Sequence, residues 1–479
     1  MIKTDILNHQ PSFKDPVEAR EAQCKKACSD LVTSYEKIIV LDDDPTGSQT
    51  VYGLPVYTGL DRESLRGAMN DPSSVVYILT NSRSLNPEES TRLHTSLLSG
   101  LKSCWTKKKA FLVLSRSDST LRGHYPLETE VLNQEMKDIK GADGEILIPF
   151  FKEGGRYTLN DVHYVQEGED LIPAGETEFA RDSSFSFTRS DLKEYVAEKT
   201  KGRVAAEDVI SISLEDLRRN PQQVFEKLTK AENYARIIVN AVSYGDLKSF
   251  LVQYAAAVST GKHFIFRCAA SFVKVIAGLD DQNYLTGADL IRKDDKNRPG
   301  LIVAGSYVGK TSRQLKTLSD SGRVKEVRFN IRTALHSDQL AAERKRCIRR
   351  TEDLLSRGQT VCLFTENAGS REFLSAHEGE EGLTDLELSA RISGALVNIV
   401  SEIKTRPSFV MTKGGITSHD IACKALHLIK AEVLGQIVPG VPVWRCGKEA
   451  KWPEIPLIIF PGNVGNDNTV SEVVARLSS

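Results

Sequence analysis

Short runs of β-branched and aliphatic residues recur between longer amphipathic segments through the first 280 residues of this 479-residue chain, and no other pattern constrains its fold as much. Residues 38–41, 75–79, 111–114, 145–149 and 237–240 have the length and composition of strands buried on both faces. Between them, residues 87–101 and 126–140 carry helical spacing. That order predicts a mainly parallel sheet covered by helices. Residues 157–190 break the rhythm with turn and polar residues and read as an excursion or lid. After the polar stretch 291–300 the alternation restarts, with strands at 301–304, 361–364, 409–411 and 457–460 and helical spacing over 338–356, 385–404 and 469–477. A chain of this length exceeds what one hydrophobic core serves. The expected organisation is a helical extension over 1–35, an α/β domain over 36–290, a linker at 291–300 and a second α/β domain over 301–479, with the active site in the cleft between the domains, closing about the linker.

The charge balance narrows the partner. With 63 basic and 64 acidic side chains, bulk charge recruits neither nucleic acid nor a membrane surface, so the expected partner is a small molecule. The eight cysteines are scattered, and only Cys24 and Cys28 lie close together. This spacing is neither a zinc site nor a disulfide framework. The first residues mix charges and lack an apolar signal region, and no stretch approaches about 18 uncharged apolar residues. A cytoplasmic protein is expected, and a homodimer is compatible with the sequence.

Polar residues gather where the strands end. The first predicted strand runs directly into Asp42-Asp43-Asp44-Pro45-Thr46-Gly47-Ser48. Carboxylates leaving a buried strand can hold a cation or accept a proton from a hydroxyl, because repulsion and desolvation raise the affinity of one of them for positive charge. The next strand ends carry Thr80, Ser82 and Arg83, then Arg116-Ser117-Asp118-Ser119-Thr120-Leu121-Arg122-Gly123. A parallel sheet collects all three at one edge. Arg83 and Arg116 offer planar donor forks suited to a carboxylate, and Ser119 and the acids suit hydroxyls, so the set fits a small polyhydroxy acid.

The second half ends its strands differently, in Gly305-Ser306, Lys413-Gly414-Gly415-Ile416-Thr417 and Gly462-Asn463-Val464-Gly465. Glycine turns with hydroxyl side chains let backbone N–H groups approach a phosphate, so the joint occurrence favours a nucleotide site. Gly305 to Thr311 ends like a P-loop but has three residues between its glycines where that motif needs four. No G-x-G-x-x-G occurs, which excludes the usual dinucleotide fingerprint.

Together these motifs resemble the four-carbon acid sugar kinases over nearly the whole chain after about residue 36. The family's Asp-Asp-x-Thr-Gly turn is similar to Asp43–Gly47, its Ser-Arg strand end to Ser82-Arg83, and its Lys-x-Asp-Ser-Thr-x-Arg-Gly segment to residues 116–123. Gly155-Arg156-Tyr157-Thr158, the Thr177, Phe179, Ala180 and Asp182 set, the Gly305, Ser306, Thr311 and Gln314 set, and Gly414–Thr417 follow in the family's order. The resemblance implies a sugar-acid-binding domain, a nucleotide-binding domain, and Mg²⁺-assisted transfer of the ATP γ-phosphoryl to the terminal hydroxyl of a threonate, erythronate or 3-oxo-tetronate. It places Asp43, Asp44, Arg83, Arg116, Ser117, Asp118 and Ser119 against the sugar acid, with Asp43, Asp44 or Asp118 as proton acceptor or magnesium ligand. Ser306, Gly414, Gly415, Ile416, Thr417 and Gly462 would face ATP. Arg116 stands where the family has lysine, and Phe460-Pro461 where bacterial members tend to have Lys-Ser. The alternatives are a kinase for another hydroxy acid or sugar, and a non-catalytic binder of the same fold.

Overall fold

A computed structural model describes residues 2–478 apart from 107, 306–308, 366–384 and 463. The chain forms two compact α/β units, Met1–Asp281 and Gln282–Ser479. The polar stretch 291–300 belongs to the second, where buried Asp295 pairs with Arg406 and Arg298.

The sheet of the first unit contains β1 (Ile38–Asp42), β2 (Pro55–Tyr57), β3 (Val75–Leu79), β4 (Leu112–Arg116), β5 (Gly144–Ile148), β6 (Ile210–Ile212), β7 (Ala235–Val239) and β8 (Phe264–Cys268). They lie in the order β6-β7-β5-β8-β4-β1-β3-β2, all parallel. Every residue of β1, β3, β4 and β8 is buried, as strands covered on both faces must be. Ile39, Leu41, Val76, Ile78 and Val113 pack against Leu97, Leu98, Leu101, Leu132 and Met136 of the covering helices Pro87–Cys104 and Leu127–Lys140. The first of these helices starts on a reciprocal cap between Asn86 and Glu89.

The excursion is more ordered than its composition implies. Arg156–Leu159, Val162–Glu167 and Asp170–Pro173 form an antiparallel meander, and Ile2–Lys3 joins its edge. Its first turn places Asn160 and Asp161 at positive φ, which these residues tolerate better than most. The helix Val17–Ser34 packs on Tyr244–Ser259.

The second unit contains β9 (Leu301–Ala304), β10 (Lys325–Phe329), β11 (Val361–Thr365), β12 (Val410–Lys413), β13 (Lys430–Val438), β14 (Val441–Cys446) and β15 (Pro456–Phe460). Their order is β13-β14-β15-β12-β9-β11-β10. Five strands are parallel, and the β13–β14 hairpin is antiparallel. Among the described residues, no helix is long and apolar enough to cross a membrane.

Candidate functional site

Topology decides where each sheet opens. From β1 the chain leaves toward β3 and β2, whereas from the adjacent β4 it leaves toward β5. Neighbouring strands whose connections depart in opposite directions leave a crevice at their carboxyl ends, the usual ligand position in open α/β sheets. In the second unit β9 and β12 diverge in the same way. The motif residues cluster at these two points.

At the end of β1, the Asp44 carboxylate accepts hydrogen bonds from the Thr46 backbone N–H (2.8 Å) and hydroxyl (2.5 Å), which closes the turn Pro45–Ser48. The buried guanidinium of Arg116 lies under this turn. Its Nε donates to Asp42 Oδ1 at 2.6 Å, and its terminal nitrogens reach Asp42 Oδ1, Asp43 Oδ1 (3.1 Å) and the carbonyls of Asp44 and Ser117. A Cβ at Gly47 would run into this guanidinium. The sequence offered the Arg116 fork to a substrate carboxylate, but the structure commits it to Asp42 and Asp43. A short lysine point charge could not span that set.

Arg83 follows β3 and is shared. It contacts Asp43 Oδ1 (3.0 Å), Asp44 Oδ2 (3.4 Å) and Asp118 Oδ1 (3.4 Å). Asp118 also receives Arg122 Nε at 2.7 Å and the Thr120 hydroxyl, and Arg122 reaches on to Asp182 at 3.6 Å. Ser117 is buried, its N–H bonded to Cys268 O (2.9 Å), and Ser119 is half-buried.

Four carboxylates, Asp42, Asp43, Asp44 and Asp118, therefore meet three guanidiniums, Arg83, Arg116 and Arg122. In a buried cluster the surplus anion favours a proton. Burial pushes Asp42 up to about 7 against the pull of Arg116, and burial raises Asp43 as well. Burial also opposes ionisation of Asp44 and Asp118, but it is outweighed at Asp44 by Arg83 and Thr46, and at Asp118 by Arg122 and Arg83; both fall below the usual carboxylate range. Asp42 and Asp43 each keep one buried oxygen, Oδ2, without a hydrogen-bond partner. Gly123 lies beside the latter: with φ +111°, its missing Cβ would stand 3.4 Å from Asp43 Oδ2.

Several supporting residues escaped the sequence reading. Buried Glu128 accepts the Ser82 hydroxyl at 2.5 Å and lies 3.7 Å from Arg267, which in turn donates to Arg122 O at 3.0 Å. Glu128 thus steadies both the Arg83 and the Arg122 turns. His163, on the meander, sits 2.8 Å from Ser119 O and is pushed down to about 4 by burial, which keeps it neutral. Arg122 stood inside a recognised motif, but the sequence offers no cue that Glu128, Arg267 and His163 converge there.

In the second unit, Gly414 N–H bonds to Phe460 O at 2.9 Å, and a Cβ on Gly305 would press Thr417 Oγ1 at 2.7 Å. The turns after β9, β12 and β15 are therefore adjacent. Gln314 donates to the carbonyls of Val464 (3.1 Å) and Asn466 (2.8 Å). Buried Lys413, which opens the strand-end turn, donates to Pro461 O (2.7 Å) and Gly462 O (3.1 Å). Burial brings its ammonium down to about 7. Ile416 is exposed although apolar, so Gly414, Gly415, Ile416, Thr417 and Gly462 surround an open turn. Ser306 lies outside the described residues.

Among the described residues no group of three or more His, Cys, Asp or Glu could hold a metal, and Asp43, Asp44 and Asp118 already answer to guanidiniums.

Residues 38–276 match the model of a sugar-binding N-terminal domain, and residues 301–470 that of a nucleotide-binding C-terminal domain. Among solved structures, a Haemophilus influenzae protein from a domain family of unknown function aligns with TM-score 0.63 at 17% identity, covering 92% of this chain and 100% of that one. A Salmonella typhimurium LT2 protein whose name proposes a tRNA synthase aligns with TM-score 0.63 at 16% identity, covering 92% and 98%. At such identities the likeness shows the fold alone. No curated protein matches.

Proposed function

We propose, from the premise that this chain belongs to the four-carbon acid sugar kinase family, that it transfers the γ-phosphoryl of ATP to the terminal hydroxyl of a threonate, erythronate or 3-oxo-tetronate in the cytoplasm. The observation that supports this most is the surplus carboxylate at the end of β1: Asp43 has raised proton affinity and one unpartnered oxygen, yet is fixed by Arg83 and Arg116. Phosphoryl transfer needs positioning, charge stabilisation and a place for the hydroxyl proton. In this reading Asp43 Oδ2 accepts that proton. Asp44 and Asp118 stay ionised and accept hydrogen bonds from the other substrate hydroxyls, together with Ser117 and Ser119, while Arg83 holds the three carboxylates in register. Arg116 is a positioning residue. The glycine turns at 414–417 and 462 receive the nucleotide phosphates, and we assign Mg²⁺ no ligand in this chain.

The test is ADP release by the purified protein with ATP, Mg²⁺ and a panel of four-carbon sugar acids, each against a no-substrate control. Turnover of one acid supports the reading. An ATP-induced thermal shift with no ADP release across the panel overturns it.

A pH dependence follows. The base must be deprotonated to act, and burial raises Asp43 above the usual carboxylate range. The acid limb of kcat/KM is therefore expected above the ordinary carboxylate value, with activity rising to a plateau beyond it. A limb at or below about pH 4, the ordinary carboxylate value, in initial-rate profiles would contradict a raised Asp43.

A further inference from the structure

A substrate carboxylate needs a cation that the protein has not already neutralised. In the strand-end cluster Arg116 is committed to Asp42 and Asp43, Arg83 to Asp43, Asp44 and Asp118, and Arg122 to Asp118 and Asp182. Arg267 faces Glu128. Arg156 differs: among the described residues its guanidinium makes no ion pair and no side-chain hydrogen bond, and its Nε is buried without a partner.

The meander places this arginine next to the site. Thr158, two residues on and hence on the same face of its strand, lies 2.9 Å from His163 Nδ1, and the opposite ring nitrogen of His163 lies 2.8 Å from Ser119 O. The Phe179 ring marks the same neighbourhood, with the guanidinium carbons of Arg122 and Arg156 at 5.1 and 5.7 Å from its centroid. An unpaired planar fork thus adjoins the Asp118–Arg122 segment. Leaving a guanidinium half-buried without a counter-ion is costly, and a carboxylate ligand relieves that cost through two parallel N–H···O bonds.

We infer that Arg156 binds the carboxylate of the substrate and so selects acids over neutral sugars. This deepens the reading above and rests on it for the substrate class. Binding follows from the fork alone, with no covalent step.

The test is calorimetric titration of the wild type, Arg156→Met and Arg156→Lys with threonate and erythronate, and with the neutral polyols threitol and erythritol. The wild type should prefer an acid, Arg156→Met should weaken acid binding about 100-fold and erase the preference, and Arg156→Lys should fall between, because charge-assisted bidentate bonds are among the strongest available. The affinity for ATP and the unfolding midpoint should not fall, since an unpaired cation has been removed. Undiminished acid binding by Arg156→Met overturns the inference, as does a wild type indifferent to the carboxylate. A parallel loss of ATP affinity and thermal stability overturns it too, because the role is then structural. ADP release is read separately: if acids bind through Arg156 but no ADP forms, kinase activity fails and the anchor stands.

Discussion

Asp43→Asn is expected to lower kcat by about 10³-fold while leaving the KM for ATP unchanged. The amide oxygen can still accept from Arg83 and Arg116, whose guanidiniums both converge on Asp43 Oδ1. What disappears is a basic Oδ2, and general base catalysis by a positioned side chain contributes roughly 10²–10⁴-fold. The change lies in the first unit, so nucleotide affinity in the second should not follow it. Steady-state kinetics with saturating sugar acid, plus calorimetric ATP binding, separate the two effects. A loss smaller than about tenfold would move the base elsewhere, and equal loss of turnover and ATP binding would remove Asp43 from the chemistry.

The second large effect concerns stability. Arg116→Met strips Asp42 and Asp43 of a buried partner, and breaking one side of such a pair costs about 3–5 kcal/mol. The loss should depend on pH. Asp42 already sits near 7 instead of its ordinary 3.8, and removing the guanidinium raises it further. A carboxylate whose folded pKa is raised binds more protons in the native state than in the unfolded chain, so stability falls as pH climbs between the two values. The gap between Arg116→Met and wild type is therefore expected to be smaller near pH 5, where Asp42 is protonated in both proteins, and to widen as pH rises through 7. Urea unfolding at both pH values, followed on the first unit because two units need not unfold as one transition, tests this. A pH-independent gap would show that Arg116 acts through packing alone.

Strands buried on both faces were readable because nothing but apolar residues can occupy them. β1, β3, β9 and β15 emerged within a residue or two of the expected bounds. The strands that were missed carry charge or are short. β8 contains buried Arg267 among its apolar residues, and β10 alternates Lys325, Glu326 and Arg328 at a sheet edge where water solvates them. The meander was mistaken for irregular structure because its turns are tight and its strands only four to six residues long. The Asn160-Asp161 pair was the available cue. At the site, the sequence supplied the acids and arginines but not their pairing. Arg83 and Arg116 looked alike as donor forks, yet one is shared among three carboxylates and the other is enclosed, a distinction made only by long-range register such as Asp42 opposite Arg116.

β8 lies between β4 and β5 and hydrogen-bonds to both. During synthesis, β4 and β5 are complete by residue 148 but cannot pair with each other, and the strand that fills the gap is still more than a hundred residues away. Until residue 268 has emerged, each presents an open edge to solvent, a template for pairing with other chains. The first unit of this protein is thus closed by its last strand, and nascent chains stalled short of that point should be the ones that need a chaperone.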